Sequence, residues 1–187
     1  MKQISKVFLA CACSLSGLTT QAQDQTVWSN DFSNASQPLN MVGRGVCRVN
    51  DGVFHSRSAY ALFGNPEWKD YTLSFKARAP KDAEQVQIWA GFRTHNRFVV
   101  GIKGGLQDDL YLMRTGYMGT DEFMGVRPLG FHPVPGEWYK VKVEVCGNRI
   151  RVFVNDEKLP HIDLEDKNSN LAPTGEVALG GGWIDTE

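Results

Sequence analysis

From Tyr139 to Val145 apolar and charged residues alternate without a break, Tyr139, Val141, Val143 and Val145 against Lys140, Lys142 and Glu144. Side chains of an extended strand point to opposite faces with a period of two, so such a run folds as a half-buried strand. After Gly147-Asn148, a turn signal, the rhythm returns with Ile150, Val152 and Val154 on one side and Arg149, Arg151 and Phe153 on the other. Earlier stretches repeat it over Val27–Phe32, Val42–Val49, Tyr71–Ala79, Arg97–Lys103 and Leu110–Thr115, and a later one over Glu176–Gly180. Asn50-Asp51-Gly52 marks a turn, Pro80-Lys81-Asp82 a break, and Thr94-His95-Asn96 the connection of a hairpin. No useful helical period interrupts this pattern, which predicts an all-β fold of two packed antiparallel sheets, a β-sandwich.

The 187 residues suit one domain with a substantial core. A formal net charge of −1 without a basic run argues against a nucleic-acid partner. At the N-terminus, Lys2 and Lys6 precede an apolar stretch from Val7 to Leu18 and the small residues of Thr20-Gln21-Ala22. Residues 1–22 therefore read as a signal peptide and 23–187 as the mature domain. The apolar stretch is too short for a transmembrane helix. Export to a bacterial periplasm or the extracellular space is expected, with lipid anchoring at Cys11 or Cys13 as the alternative. Cleavage leaves Cys47 and Cys146, for which one disulfide and two separate thiols both fit.

The stretch Gln85-Val-Gln-Ile-Trp-Ala-Gly-Phe-Arg93 carries the functional signal. Alternation points Val86, Ile88, Ala90 and Phe92 to the core, and Gln85, Gln87, Trp89 and Arg93 outward. Amides and a guanidinium hydrogen-bond hydroxyls and an indole covers C–H faces, so this face suits a glycan. Arg97, across the hairpin, would place a second guanidinium beside the Trp ring. Tyr111, Arg114 and Trp183 are further candidates without a spacing argument.

Several motifs resemble the concanavalin A-like lectin/glucanase superfamily. They are Asp51-Gly52-Val53, Asp70-Tyr71-Thr72-Leu73-Ser74-Phe75, the run from Gly136 to Val143, and the run from Asn148 to Asn155. The laminin-G-like and 3-keto-disaccharide hydrolase branches share that plan. Asn96 to Gly101, Asp109 to Leu112 and Gly180 to Trp183 resemble a jelly-roll module at the N-terminus of secreted bacterial family-two β-galactosidase-like glycoside hydrolases. The resemblance spans roughly Val27 to Trp183. It implies a curved two-sheet jelly roll whose concave outer face holds an oligosaccharide. It also implies an edge Ca²⁺ site, for which Asp31 and Asp185 are the candidate donors, and otherwise no cofactor. A last strand beyond Gly180-Gly181-Gly182-Trp183 is implied too, and with it a C-terminal catalytic domain as a partner in a longer protein.

Catalytic signatures are missing from the linear sequence. The paired carboxylates of retaining glucanases, which must stand about 5 to 5.5 Å apart, have no matching spacing. Gly-x-Ser-x-Gly and zinc-type His pairs are absent. The sequence thus predicts an exported carbohydrate-associated module, itself non-catalytic, that serves a β-galactosidase-like hydrolase. Two alternatives stay open: a 3-keto-disaccharide hydrolase-like glycosidase whose acids meet only in space, and a laminin-G-like interaction domain without sugar affinity.

Overall fold

The structure is a computed structural model that describes residues 5–9, 25–34, 36, 38–94, 98–115, 121–167, 174–180 and 183–186. Asp51 and Gly52 both take positive φ, 52° and 76°. That pair of conformations makes a two-residue hairpin turn whose twist matches its strands. It joins the two longest strands, β3 (Asn40–Asn50) and β4 (Val53–Phe63). Before them come β1 (Ser5–Leu9) and β2 (Gln25–Asn30). After them come β5 (Tyr71–Arg78), β6 (Gln87–Phe92), β7 (Phe98–Lys103), β8 (Asp109–Arg114) and β9 (Glu122–Pro128). The chain continues with β10 (Tyr139–Cys146), β11 (Arg149–Val154), β12 (Ile162–Glu165), β13 (Val177–Gly180) and β14 (Trp183–Thr186).

Two antiparallel sheets face each other, as the alternation requires. The larger runs β3-β4-β13-β6-β7-β8-β9 and the smaller β12-β11-β10-β5. Strand β14 pairs with both β4 and β5, so hydrogen bonding passes from one layer to the other without a gap. Leu73, Phe75, Val141, Val143, Ile150 and Val152 fill the core from the smaller sheet, and Ile88, Ala90, Val100, Ile102, Leu110 and Leu112 from the larger. Each such side chain contributes roughly 1.5–3 kcal/mol on burial.

Strand β4 breaks the simple period. Ser58 has φ 54°, and the inward set changes from Phe54 and Ser56 to Ala59, Ala61 and Phe63. Its first half pairs with β14 and its second with β13. Gly180 passes so close to this bend that a Cβ there would lie 2.5 Å from Ser56 Oγ and 2.6 Å from the Ala59 carbonyl oxygen. Only glycine permits that approach.

Two findings bear on the N-terminal segment and the cysteines. Ser5–Leu9, inside the stretch that reads as a signal peptide, pairs with β2 on one side and with β5 on the other. A short apolar run can complete a sheet as readily as it can engage an export path. Cys47 is a free, buried thiol, whereas Cys146 is disulfide-bonded, so these two do not bridge each other. Among the described residues no helix is long and apolar enough to cross a membrane.

Candidate functional site

The register of the larger sheet lines up one row of outward residues across its strands. Val42 pairs with Tyr60, Tyr60 with Gly180, Trp89 with Gly101, Gly101 with Tyr111, and Tyr111 with Val126. Extending the β13–β6 pairing of Ala178 with Gly91 and Leu179 with Ala90 by one residue sets Gly180 beside Trp89. Val42, Tyr60, Trp89, Tyr111 and Val126 thus share one face, with glycines between the aromatic residues. Trp89 is half-buried and lies outside the core between the layers, as the alternation predicts.

The glycine of β7 is what shapes this row. A Cβ on Gly101 would lie 2.2 Å from Tyr111 Cζ, so the tyrosine ring lies flat over Gly101 on the Trp89 side of β8. Burial pushes the Tyr111 hydroxyl up to about 12, so it stays protonated and keeps its donor at neutral pH. Phe123 meets the other side of Tyr111 edge-on at 6.0 Å and is 63% exposed. In the neighbouring row, Val99 and Ala178 are each only 7% exposed although they do not belong to the core cluster. Shorter than the rings beside them, these two side chains make the low strip, or trough, of this face.

Polar groups border the aromatic row. Gln87 pairs with Lys103, Lys103 with Asp109, and Asp109 with Pro128, two residues along each strand from Trp89, Gly101, Tyr111 and Val126. Gln85 is exposed and lies beside Gly105. A hollow of about 560 Å³ opens at this end of β8 and β9 against Asp108, Asp109 and Phe131. At its rim His132 Nδ1 lies 2.9 Å from Asp108 Oδ2. Amide, ammonium and carboxylate groups beside flat rings are what binding a polyhydroxylated ring requires.

Residues 15–183 match the family described as the 3-keto-alpha-glucoside-1,2-lyase-like domain. The chain belongs to this family. No curated protein matches this chain by sequence. Among solved structures it is similar to the carbohydrate-binding module CBM66 from Bacillus subtilis, with a TM-score of 0.58 at 11% identity, covering 80% of this chain and 92% of that one. It is also similar to the CBM2 module of the Lactobacillus casei BL23 phage J-1 evolved Dit, with a TM-score of 0.59 at 9% identity, covering 97% and 94%. A β-1,3-glucanase from Mycobacterium marinum gives a TM-score of 0.52 at 8% identity, covering 88% and 100%. At these identities the likeness shows the fold, a jelly roll of the lectin and glucanase type.

Arg93 does not lie on the outward face of the larger sheet. It is 2% exposed, with φ 44°, so the alternation ends at Phe92 and both residues turn inward. Its backbone N–H donates to the Tyr71 hydroxyl at 2.8 Å. Its side chain donates to the Lys69 and Gly147 carbonyls, each at 2.9 Å, and to Asp70 Oδ1 at 3.1 Å. Asp70 in turn accepts from the Gly147 N–H at 2.8 Å, so the guanidinium clamps the start of β5 to the β10–β11 turn. Arg114 likewise faces inward, ion-paired with Asp166 at 2.6 Å and Glu122 at 3.1 Å. Glu122 and Asp166 are carboxylates that meet only in space, and they meet on a guanidinium.

The remaining sequence candidates divide clearly. Gln85, Gln87 and Trp89 lie at the trough, whereas Arg97 lies outside the described residues. Asp31 caps the Ser33 N–H at 3.0 Å. Asp185 sits in β14, opposite His55 and Arg78. Among the described residues no group of three His, Cys, Asp or Glu that could hold a metal ion is present. Tyr60, Lys103 and Asp109 were missed by sequence reasoning. Only the pairing register brings them to Trp89, and no linear spacing encodes it.

Proposed function

We propose that this chain is an exported carbohydrate-binding module that holds a neutral glycan in the trough around Trp89 and serves a β-galactosidase-like glycoside hydrolase. The observation that carries the reading is the outward row Tyr60, Trp89 and Tyr111, separated by Gly180 and Gly101. Flat rings suit sugar C–H faces, and Gln87, Lys103 and Asp109 suit the hydroxyls. Likeness to carbohydrate-binding modules supports it at the level of fold. Export rests on residues 1–22 as a cleaved leader, and the expected outcome of N-terminal sequencing and thiol titration is an exported product that begins at Gln23 and holds Cys47 and Cys146 as two thiols, whereas a bridged Cys146 would overturn the cleavage. A Ca²⁺ ion near Asp31 and Asp185 remains part of the proposal, read by a calcium-dependent rise in melting temperature.

Affinity electrophoresis or a glycan array tests the trough. Trp89→Ala should weaken binding at least tenfold, about 1.4 kcal/mol, while melting within a few degrees of the parent. Binding that ignores this substitution removes the site, and no binding to any neutral glycan favours a plain interaction domain.

The family match favours a second, catalytic reading. A lyase acting on a 3-keto-glucoside needs a base for the proton beside the ketone, and His132, held by Asp108 next to the trough, offers one. Release of the aglycone from a 3-keto-glucoside, lost in His132→Ala, would establish it.

A further inference from the structure

We propose that the opposite outward face, on the smaller sheet and β14, binds an anionic polysaccharide, a polymer bearing carboxylates or sulfates on successive sugars. This site is independent of the trough and goes beyond the function proposed above. Its basis is a band of cations that the register assembles from residues scattered along the chain. Lys76 on β5 pairs directly with Lys140 on β10. One row away, Arg48 pairs with His55, His55 with Asp185, and Asp185 with Arg78. Arg78 lies over the Trp138 ring at 4.5 Å. On the other side of the lysine pair, Lys142 lies 3.9 Å from the centre of the Phe153 ring.

Beside the lysine pair the carboxylates are already engaged. Glu144 accepts from both Lys142 and Arg151 at 2.8 Å, and Asp156 pairs with Lys140. Lys76 and Arg48 have no carboxylate within ion-pairing distance among the described residues. Like charges directly opposite on neighbouring strands destabilise a sheet by roughly 0.2–1 kcal/mol. Asp156 offsets part of that cost at Lys140, so Lys76 bears what is left of it, in a chain whose formal net charge is −1. A polyanion laid across the strands would relieve it and release its own counterions. Trp138 beside Arg78 adds a ring for a sugar face, which a nucleic-acid backbone or a lipid headgroup would not use.

Titration of the full chain with polygalacturonate and with dextran sulfate, beside neutral dextran, tests the proposal. Both charged polymers should bind at 50 mM salt and weaken about tenfold by 200 mM, following the release of a few counterions. The two arms distinguish carboxylate from sulfate as the preferred group. The double variant Lys76→Glu/Lys140→Glu should lose at least tenfold in affinity for the polyanion and leave neutral-glycan binding and its Trp89 dependence intact. Lys76→Ala should weaken polyanion binding about threefold and at the same time raise the melting temperature, a split that a merely structural lysine would not give. The proposal is overturned if neither charged polymer binds at 50 mM salt. Retained binding in the double variant, or equal affinity for double-stranded DNA, also overturns it.

Discussion

The two outward faces of this sandwich obey the same alternation rule and carry opposite chemistry. On the larger sheet the outward row holds Val42, Tyr60, Trp89, Tyr111 and Val126, with glycines between the rings. On the smaller sheet the outward residues include Lys76, Lys140, Lys142, Glu144, Arg149, Arg151, Asp163 and Glu165, and the one large apolar residue, Phe153, is 6% exposed beneath Lys142. The half-buried rings of the larger sheet reach the surface, whereas Phe153, buried under an ammonium, serves the face itself. Exposure, rather than residue type, separates an aromatic contact site from an aromatic prop.

The sharpest test of this contrast is Arg93, which the period assigns to the open face and the structure places inside. Arg93→Ala should destabilise the fold by about 3 kcal/mol, because it strips two carbonyls and Asp70 of their donor. Denaturant titration reads this directly, and an unchanged midpoint would return Arg93 to the surface. Phe153→Ala should cost about 3 kcal/mol of stability without altering neutral-glycan binding, the mirror image of Trp89→Ala. If Phe153→Ala abolished neutral-glycan binding, the assignment of roles to the two faces would be reversed.

A smaller effect separates the faces by pH. Tyr111, held up to about 12 by burial, keeps its proton where an unfolded tyrosine near 10 ionises. The folded form then holds more protons than the unfolded one, so stability falls as pH rises from about 10 to 12. Burial raises Tyr71 as well, so part of this alkaline loss remains in Tyr111→Phe. Melting curves across that range should be flatter for the variant than for the parent.

Much of the fold is legible in the sequence. The expected strands at Tyr71–Ala79 and Tyr139–Val145 and the turn at Asp51-Gly52 match β5, β10 and the β3–β4 turn, because local alternation and turn chemistry act there without interference. Strand β4 is less legible: Ser58 reverses its phase midway, and its two halves serve different partners. Short β12 and exposed β9 lack enough alternating residues to stand out, since tertiary pairing rather than local preference holds them.

The candidate site divides in the same way. Sequence alone set Trp89 outward and Ile88 inward, since neighbouring residues of a strand must take opposite sides. It could not foresee the end of that alternation at Arg93, because a single backbone angle there depends on Tyr71, Asp70 and Gly147, which are distant in the chain. Nor could it join Tyr60 and Tyr111 to Trp89, or Lys76 to Lys140. Register between strands is fixed by the packed core and its bends, so only the tertiary structure decides which side chains become neighbours.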